Sequence, residues 1–171
     1  MVTIKEALTF DDVLMLPRYS SILPSKTDIS LKLTNKIELK VPFLSSAMDT
    51  VTETDMATAI RSSGGLGVIH RYNTIEEQVE LAKKVRGHVA CAVGVTGDYE
   101  ARAASLVEAG CRILCLDVAH GHHMLVRKAL TTLRKAFDHK THKIHYSGVV
   151  YFVLILISIF ILAYIFKDFL K

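Results

Sequence analysis

The sequence predicts an α/β fold in which helices cover a parallel β-sheet. Short apolar runs begin about every 22 to 25 residues, and a longer amphipathic segment follows each of them. The runs are continuously apolar, which is typical of strands buried on both faces of a parallel sheet. Four such strand–helix units fit either a small open doubly wound sheet or half of an eight-unit barrel.

The first unit pairs a strand over residues 41–46 with a helix over residues 52–62. The strand has the sequence VPFLSS and follows a charged stretch. The helix would place Met56, Ala59 and Ile60 on one apolar face, and a pair of glycines predicts its end.

The second unit pairs a strand over residues 66–70 with a helix that runs to about residue 85. Thr74 and Glu77 form a capping-box pattern, in which each side chain satisfies a free backbone amide at the helix start. The glycine-rich segment at 64–67 precedes the strand and does not open a helix. We therefore interpret it as a tight turn with close packing, and not as a dinucleotide-binding loop.

The third and fourth units repeat this arrangement. Residues 89–95 and 113–118 are the predicted strands, and residues 99–109 and 125–137 are the predicted helices. A polar, basic stretch follows, and the apolar run after it is far too long for a fifth strand.

The composition excludes several classes of protein. Three cysteines without a CxxC motif argue against a disulfide-stapled secreted domain, so we expect reduced core thiols at Cys91, Cys111 and Cys115. Lys and Arg number 21 against 17 Asp and Glu, but the excess is concentrated in residues 124–145. This basicity is local, and we expect no nucleic-acid partner.

Residues 148–166 form an uncharged apolar run. As a helix this run would span about 28 Å, close to the roughly 30 Å of a bilayer core, so we predict a transmembrane helix. The basic linker at 138–147 and the short tail at 167–171 flank it. Six Lys and Arg on its N-terminal side, between residues 127 and 143, against two Lys in the tail predict a body in the cytoplasm, anchored by a single C-terminal span. The alternative is a gene-model artefact, because translated A/T-rich non-coding DNA has a similar composition.

Five ordered motifs resemble those of the inosine 5′-monophosphate (IMP) dehydrogenases. They are ALTFDDVLMLP at 7–17, PFLSSAMDTVTE at 42–53, GGLGVIH at 64–70, GVTGDY at 94–99 and LDVAHGH at 116–122. The neighbouring GMP reductases share the fold and some motifs, but the second and fifth motifs look more like the dehydrogenase.

The resemblance implies that residues 1–137 are the first four βα units of a (β/α)8 TIM barrel, with binding residues at the carboxyl ends of the strands. It implies that Ser46 and Met48 contact IMP and that Asp117 holds ribose hydroxyls of NAD. Each residue also has a structural alternative. Ser46 can cap local backbone, Met48 can fill the core, and Asp117 can cap the following turn.

Histidines cluster near the end of the fourth unit and after it. We interpret His120, His122 and His123 as solvated loop residues, because no acidic or cysteine partner has the spacing of a metal site and the resemblance implies no metal there. We therefore predict no metal ligands in this chain. We also predict no catalytic residue, because none of the three cysteines lies on the loop that carries the family's nucleophile.

The chain departs from the family pattern in two respects. A short Arg86–His88 bridge stands where most of these dehydrogenases insert a pair of CBS regulatory modules. The family's mechanism uses a cysteine on a loop after the sixth strand, followed by hydride transfer to NAD and hydrolysis. That loop, the phosphate loops and the potassium ligands would lie beyond residue 137. We therefore expect the chain to be truncated and inactive alone.

The function implied by the resemblance is NAD-dependent oxidation of IMP to XMP in guanine nucleotide biosynthesis. One alternative is a GMP reductase-type member of the same family. Another is a non-enzymatic, membrane-tethered remnant that pairs with itself or with a full-length homologue.

Overall fold

The computed structural model describes residues 8–9, 11–34 and 37–137. No helix among them is long and apolar enough to cross a membrane. The predicted basic linker, transmembrane helix and tail lie outside the described residues, so their boundaries stay predictions.

Six strands and four helices make up the described part of the chain, together with a short 3-10 turn at Pro24–Lys26. In chain order they are β1 (Leu31–Thr34), β2 (Ile37–Leu39), β3 (Leu44–Ser45), α1 (Thr54–Ser62), β4 (Leu66–Ile69), α2 (Ile75–Lys84), β5 (Ala90–Val93), α3 (Tyr99–Glu108), β6 (Ile113–Leu116) and α4 (Met124–Phe137). The four predicted strand–helix units are therefore confirmed, with strands that are shorter than the apolar runs.

The four strands of these units form one parallel sheet in the order β3-β4-β5-β6. The apolar cluster on one face of the sheet contains residues from all four helices, including Ala57 of α1, Ala82 of α2, Leu106 of α3 and Leu133 of α4. A doubly wound sheet instead reverses its strand order and carries helices on both faces. Sequential order with helices on one face is the arrangement of a barrel wall.

An antiparallel hairpin of β1 and β2 covers the opposite face of the sheet. Ile37 and Leu39 are 2% and 1% exposed and pack among inward-facing residues such as Val68 of β4 and Ala92 of β5. The four strand–helix units do not by themselves account for the burial of this face. The hairpin buries it, because its short strands carry apolar residues at alternate positions.

Helix α1 approaches β4 very closely. A Cβ atom built on Gly67 would lie 2.6 Å from the Cα of Ala57, so only glycine fits at this position of the strand. Gly64 ends the preceding turn with a φ of 93°. These contacts confirm the interpretation of the glycine-rich segment. The predicted apolar face of α1 is wrong in part, because Ala57 is buried whereas Met56 is 40% exposed.

Candidate functional site

The carboxyl ends of the four parallel strands meet at one edge of the sheet. The residues that follow them include Ser46 after β3, His70 and Arg71 after β4, Gly94 after β5 and Asp117 after β6. Parallel α/β folds bind their ligands at this edge, because the loops there are free to carry polar groups without disturbing the sheet.

The loop after β3 folds into a compact turn around Met48. The amide of Met48 donates to the carbonyl of Ser46 at 2.9 Å, and the amide of Thr52 donates to the carbonyl of Met48 at 2.9 Å. Ser46 and Met48 are both half-buried. The Ser46 hydroxyl caps no backbone group of the described residues, and Met48 belongs to neither apolar cluster. Neither structural alternative, capping by Ser46 or core filling by Met48, is thus found among the described residues.

Asp117 is paired with Arg71 across the ends of β6 and β4. Arg71 Nε donates to Asp117 Oδ2 at 3.1 Å, and Arg71 Nη2 donates to the Asp117 carbonyl at 3.3 Å. The Asp117 side chain is 10% exposed and that of Arg71 is 34% exposed. The carboxylate accepts no backbone amide from the described residues, so it does not cap the following turn there.

Two neighbours of Arg71 complete this end of the site. The Arg71 guanidinium lies over the Tyr72 ring at 5.5 Å from its centroid, within the range of a cation–π contact. The Tyr72 amide donates to Nδ1 of the buried His70 at 3.1 Å. The proton of a neutral His70 is therefore on Nε2, which lies 3.3 Å from Glu53 Oε1.

The two ends of the site are well separated. Strands β3 and β6 are the outer strands of the sheet, three strand spacings apart, which corresponds to about 14 Å at the usual spacing of parallel strands. The Ser46 loop and Asp117 are therefore too far apart to bind the same small chemical group. They suit two ligands, or two parts of an extended ligand.

The cysteines do not contribute to this edge. Cys91, Cys111 and Cys115 are all free and buried, as the sequence predicts. Hydrogen bonding to the Cys111 thiol, together with burial, raises the pKa of Cys91 well above that of an ordinary thiol. The three cysteines are all that the sequence contains, so the chain presents no exposed thiol nucleophile.

No group of three His, Cys, Asp or Glu side chains is placed to hold a metal ion anywhere in the described ranges. Of the loop histidines, His123 has a local role: its Nδ1 accepts the amide of Leu125 at 3.2 Å, at the start of α4. His120 and His122 are exposed.

Sequence reasoning missed Arg71, His70 and Tyr72. The signal was present, because the run His-Arg-Tyr directly follows the second strand and so stands at the same edge as Asp117. A charged residue and an aromatic residue immediately after a buried parallel strand are candidates for a site.

Three kinds of comparison relate this chain to known proteins. Residues 7–150 match the family model described as the IMP dehydrogenase / GMP reductase domain. The chain belongs to this family. A crystal structure of inosine 5′-monophosphate dehydrogenase from Legionella pneumophila superimposes with a TM-score of 0.67 and 39% sequence identity, over 76% of this chain and 41% of that one.

Two relatives in the IMP dehydrogenase / GMP reductase family align with about half the length of this chain. The inosine-5′-monophosphate dehydrogenase of Borreliella burgdorferi is 56% identical over 82 residues, which are 48% of this chain and 20% of that protein. The enzyme of Escherichia coli K12 is 51% identical over 84 residues, which are 49% of this chain and 17% of that protein. The matched region is thus a fifth or less of the length of these relatives.

Membership of the family decides between the two architectures that the repeat left open. The parallel sheet is similar to that of the IMP dehydrogenase TIM barrel, in agreement with the sequential strand order.

Proposed function

We propose that the described part of this chain is the nucleotide-binding half of an IMP dehydrogenase-type barrel. In this proposal the loop at Ser46 and Met48 holds the purine nucleotide, and Asp117 holds the ribose of NAD. The observation that carries the proposal is the nearly buried Asp117 carboxylate at the carboxyl edge of the sheet, in a chain of this family.

The loop after β3 has the chemistry for a purine nucleotide. The Ser46 hydroxyl is a donor and an acceptor without a partner among the described residues, so it can bond to a ribose or phosphate oxygen. Met48 is half-buried and offers a polarizable apolar surface to a base.

The Asp117 carboxylate fits the ribose of NAD. Its Oδ2 atom accepts from Arg71, whereas no described residue donates to Oδ1. Oδ1 is therefore available to accept from a ligand, and a ribose diol supplies two hydroxyl donors. When bound, NAD would supply the acceptor for the hydride.

The buried cysteines support a second part of the proposal, that the chain alone does not oxidise IMP to XMP. The family's mechanism requires a thiolate that reaches the purine, and each of the three thiols lies inside the core. Turnover therefore needs a thiol other than these three.

The experiment is a pair of calorimetric titrations of the purified full chain in mild detergent, with IMP and with NAD⁺. We expect both ligands to bind, and no NADH to form when they are combined. Met48→Glu should abolish IMP binding, and Asp117→Asn should weaken NAD⁺ binding. The matched controls are Met124→Glu, at an exposed methionine of α4, and Asp55→Asn, at an exposed carboxylate of α1.

Failure of both ligands to bind would contradict the proposal, and NADH formation by the chain alone would contradict its second part. The family description also covers GMP reductases, so GMP and NADPH are titrated in parallel. Preference for that pair would favour the reductase alternative.

The membrane anchor is a separate proposal, supported by the sequence of residues 148–166 alone. The test is fractionation of cells that express either the full chain or a variant without residues 148–166. We expect the full chain in the membrane pellet and the variant in the supernatant, and the same fraction for both would contradict the anchor.

A further inference from the structure

Arg71 donates hydrogen bonds to both the side chain and the main-chain carbonyl of Asp117. One guanidinium nitrogen, Nε, donates to the side-chain oxygen Oδ2 at 3.1 Å, and a second, Nη2, donates to the main-chain carbonyl at 3.3 Å. Because the guanidinium is planar and rigid, these two bonds together fix the direction of the carboxylate relative to its own backbone.

These two hydrogen bonds leave the second carboxylate oxygen of Asp117, Oδ1, available to accept from a ligand. Oδ1 receives no hydrogen bond from the residues that the structure describes, although the side chain is only 10% exposed. The amide of Asp117 donates to the carbonyl of Val93 at 2.9 Å, which ties the backbone to the end of β5. Both the backbone and the carboxylate plane are thus held, with Oδ1 as the remaining acceptor.

Arg71 is itself held in a way that a lysine would not reproduce. Its guanidinium lies over the Tyr72 ring at 5.5 Å, and the Tyr72 backbone is held in turn by the hydrogen bond that its amide donates to His70 Nδ1. A lysine ammonium is a point charge, which cannot present the two separated donors of a guanidinium in one plane.

We propose that Arg71 is a positioning residue, which orients the Asp117 carboxylate so that Oδ1 meets the ribose hydroxyls of a nicotinamide dinucleotide. This inference rests on the proposed function, because it assumes that Asp117 binds that ribose. Arg71 acts through Asp117 and does not touch the reacting atoms.

The test is calorimetric titration of NAD⁺ and, separately, of IMP into the full chain and four variants. The variants are Arg71→Leu, Arg71→Lys, Asp117→Asn and the double variant Arg71→Leu/Asp117→Asn, with Arg127→Leu as a matched control at an exposed arginine of α4. Thermal melting of each variant checks that it is folded, and Arg71→Lys carries the test if Arg71→Leu does not fold.

We expect both Arg71 variants to bind NAD⁺ about tenfold more weakly, which corresponds to the loss of a charge-assisted hydrogen bond. IMP binding should stay unchanged in both. The double variant should bind NAD⁺ no more weakly than Asp117→Asn, because residues that act as one unit are not additive. A purely structural role for Arg71 would weaken IMP binding and lower the melting temperature as well.

Two results would overturn the inference, and they differ in what they imply for the proposed function. If Asp117→Asn weakens NAD⁺ binding while both Arg71 variants bind it as wild type does, Arg71 does not position the carboxylate and the proposed function stands. If Asp117→Asn binds NAD⁺ as wild type does, or if the wild-type chain binds none, the inference and the cofactor assignment both fail.

Discussion

Arg102 donates a hydrogen bond from Nη1 to Oε1 of Gln78 at 3.0 Å, and both side chains are buried, with exposures of 7% and 0%. The side-chain Nε2 of Gln78 donates in turn to the carbonyl of Ala92 at 2.9 Å, and Arg102 Nη2 donates to the carbonyl of Asn73 at 3.0 Å. This polar pair joins α2 and α3 to β5 and to the loop that follows β4.

Replacement of Arg102 by Met should therefore destabilise the fold. The substitution leaves Gln78 Oε1 and the Asn73 carbonyl without their donors, at a cost of about 2–3 kcal/mol in the free energy of unfolding. Urea denaturation followed by circular dichroism measures it. Lys83→Met, which breaks an exposed ion pair with Glu80, is the control and should change stability by less than about 1 kcal/mol. Equal effects of the two substitutions would contradict the role of the buried pair.

The close approach of α1 to β4 predicts the effect of a single methyl group. Gly67→Ala would place its Cβ 2.6 Å from the Cα and 2.7 Å from the Cβ of Ala57, so the helix must move away from the strand. We expect a loss of about 2–3 kcal/mol in the same urea experiment. Gly94→Ala is the control, because the nearest atom to its Cβ would lie 3.7 Å away. A stable Gly67→Ala variant would show that the contact is looser than described.

The hairpin should be part of the cooperative core, and the chain that precedes it should not. Leu39→Ala removes a side chain that is 1% exposed and should cost about 2–5 kcal/mol. Leu14→Ala removes one that is 95% exposed in the N-terminal segment and should cost less than about 0.5 kcal/mol. If Leu39→Ala is as stable as Leu14→Ala, the hairpin does not cover the inner face of the sheet in solution.

The three thiols should be unreactive in the native chain. Burial keeps reagents away from them, and the raised pKa of Cys91 keeps that thiol protonated at neutral pH. Modification by a disulfide reagent at pH 7.5 should be about a hundredfold slower than in 6 M guanidinium chloride, because it requires opening of the core. Rapid modification of one thiol per native chain would reveal an accessible nucleophile and would contradict the proposed lack of turnover.

The sequence predicts much of this fold because its strongest signals are local. The capping box is formed as predicted, with the Glu77 amide donating to Thr74 Oγ1 at 3.1 Å and the Thr74 amide donating to Glu77 Oε2 at 2.9 Å. The βα repeat is equally local, since each strand and its helix are neighbours in the chain. Patterns of this kind depend on few residues and survive tertiary packing.

The features that sequence reasoning missed depend on contacts between distant segments. The hairpin strands are only four and three residues long. Their apolar residues can be recognised as core residues only from their contacts with the inner face of the sheet. Ala57 replaces Met56 as the buried residue of α1 because Gly67, ten residues later, lets the backbone of the helix come close. Arg71 and Asp117 form an ion pair although they are 46 residues apart in the sequence. A periodic pattern of apolar residues does not predict a pair of this kind.

The most direct test of the nucleotide-binding edge is chemical-shift mapping of the ¹⁵N-labelled full chain, titrated with IMP and then with NAD⁺. We expect IMP to shift the amides around Ser46 and Met48, and NAD⁺ to shift those around Arg71 and Asp117. The amides of the β1–β2 hairpin, which covers the inner face of the sheet, should not move. Shifts confined to the hairpin or to the exposed helix faces, or no shifts with either nucleotide, would contradict the assignment of this edge as the site.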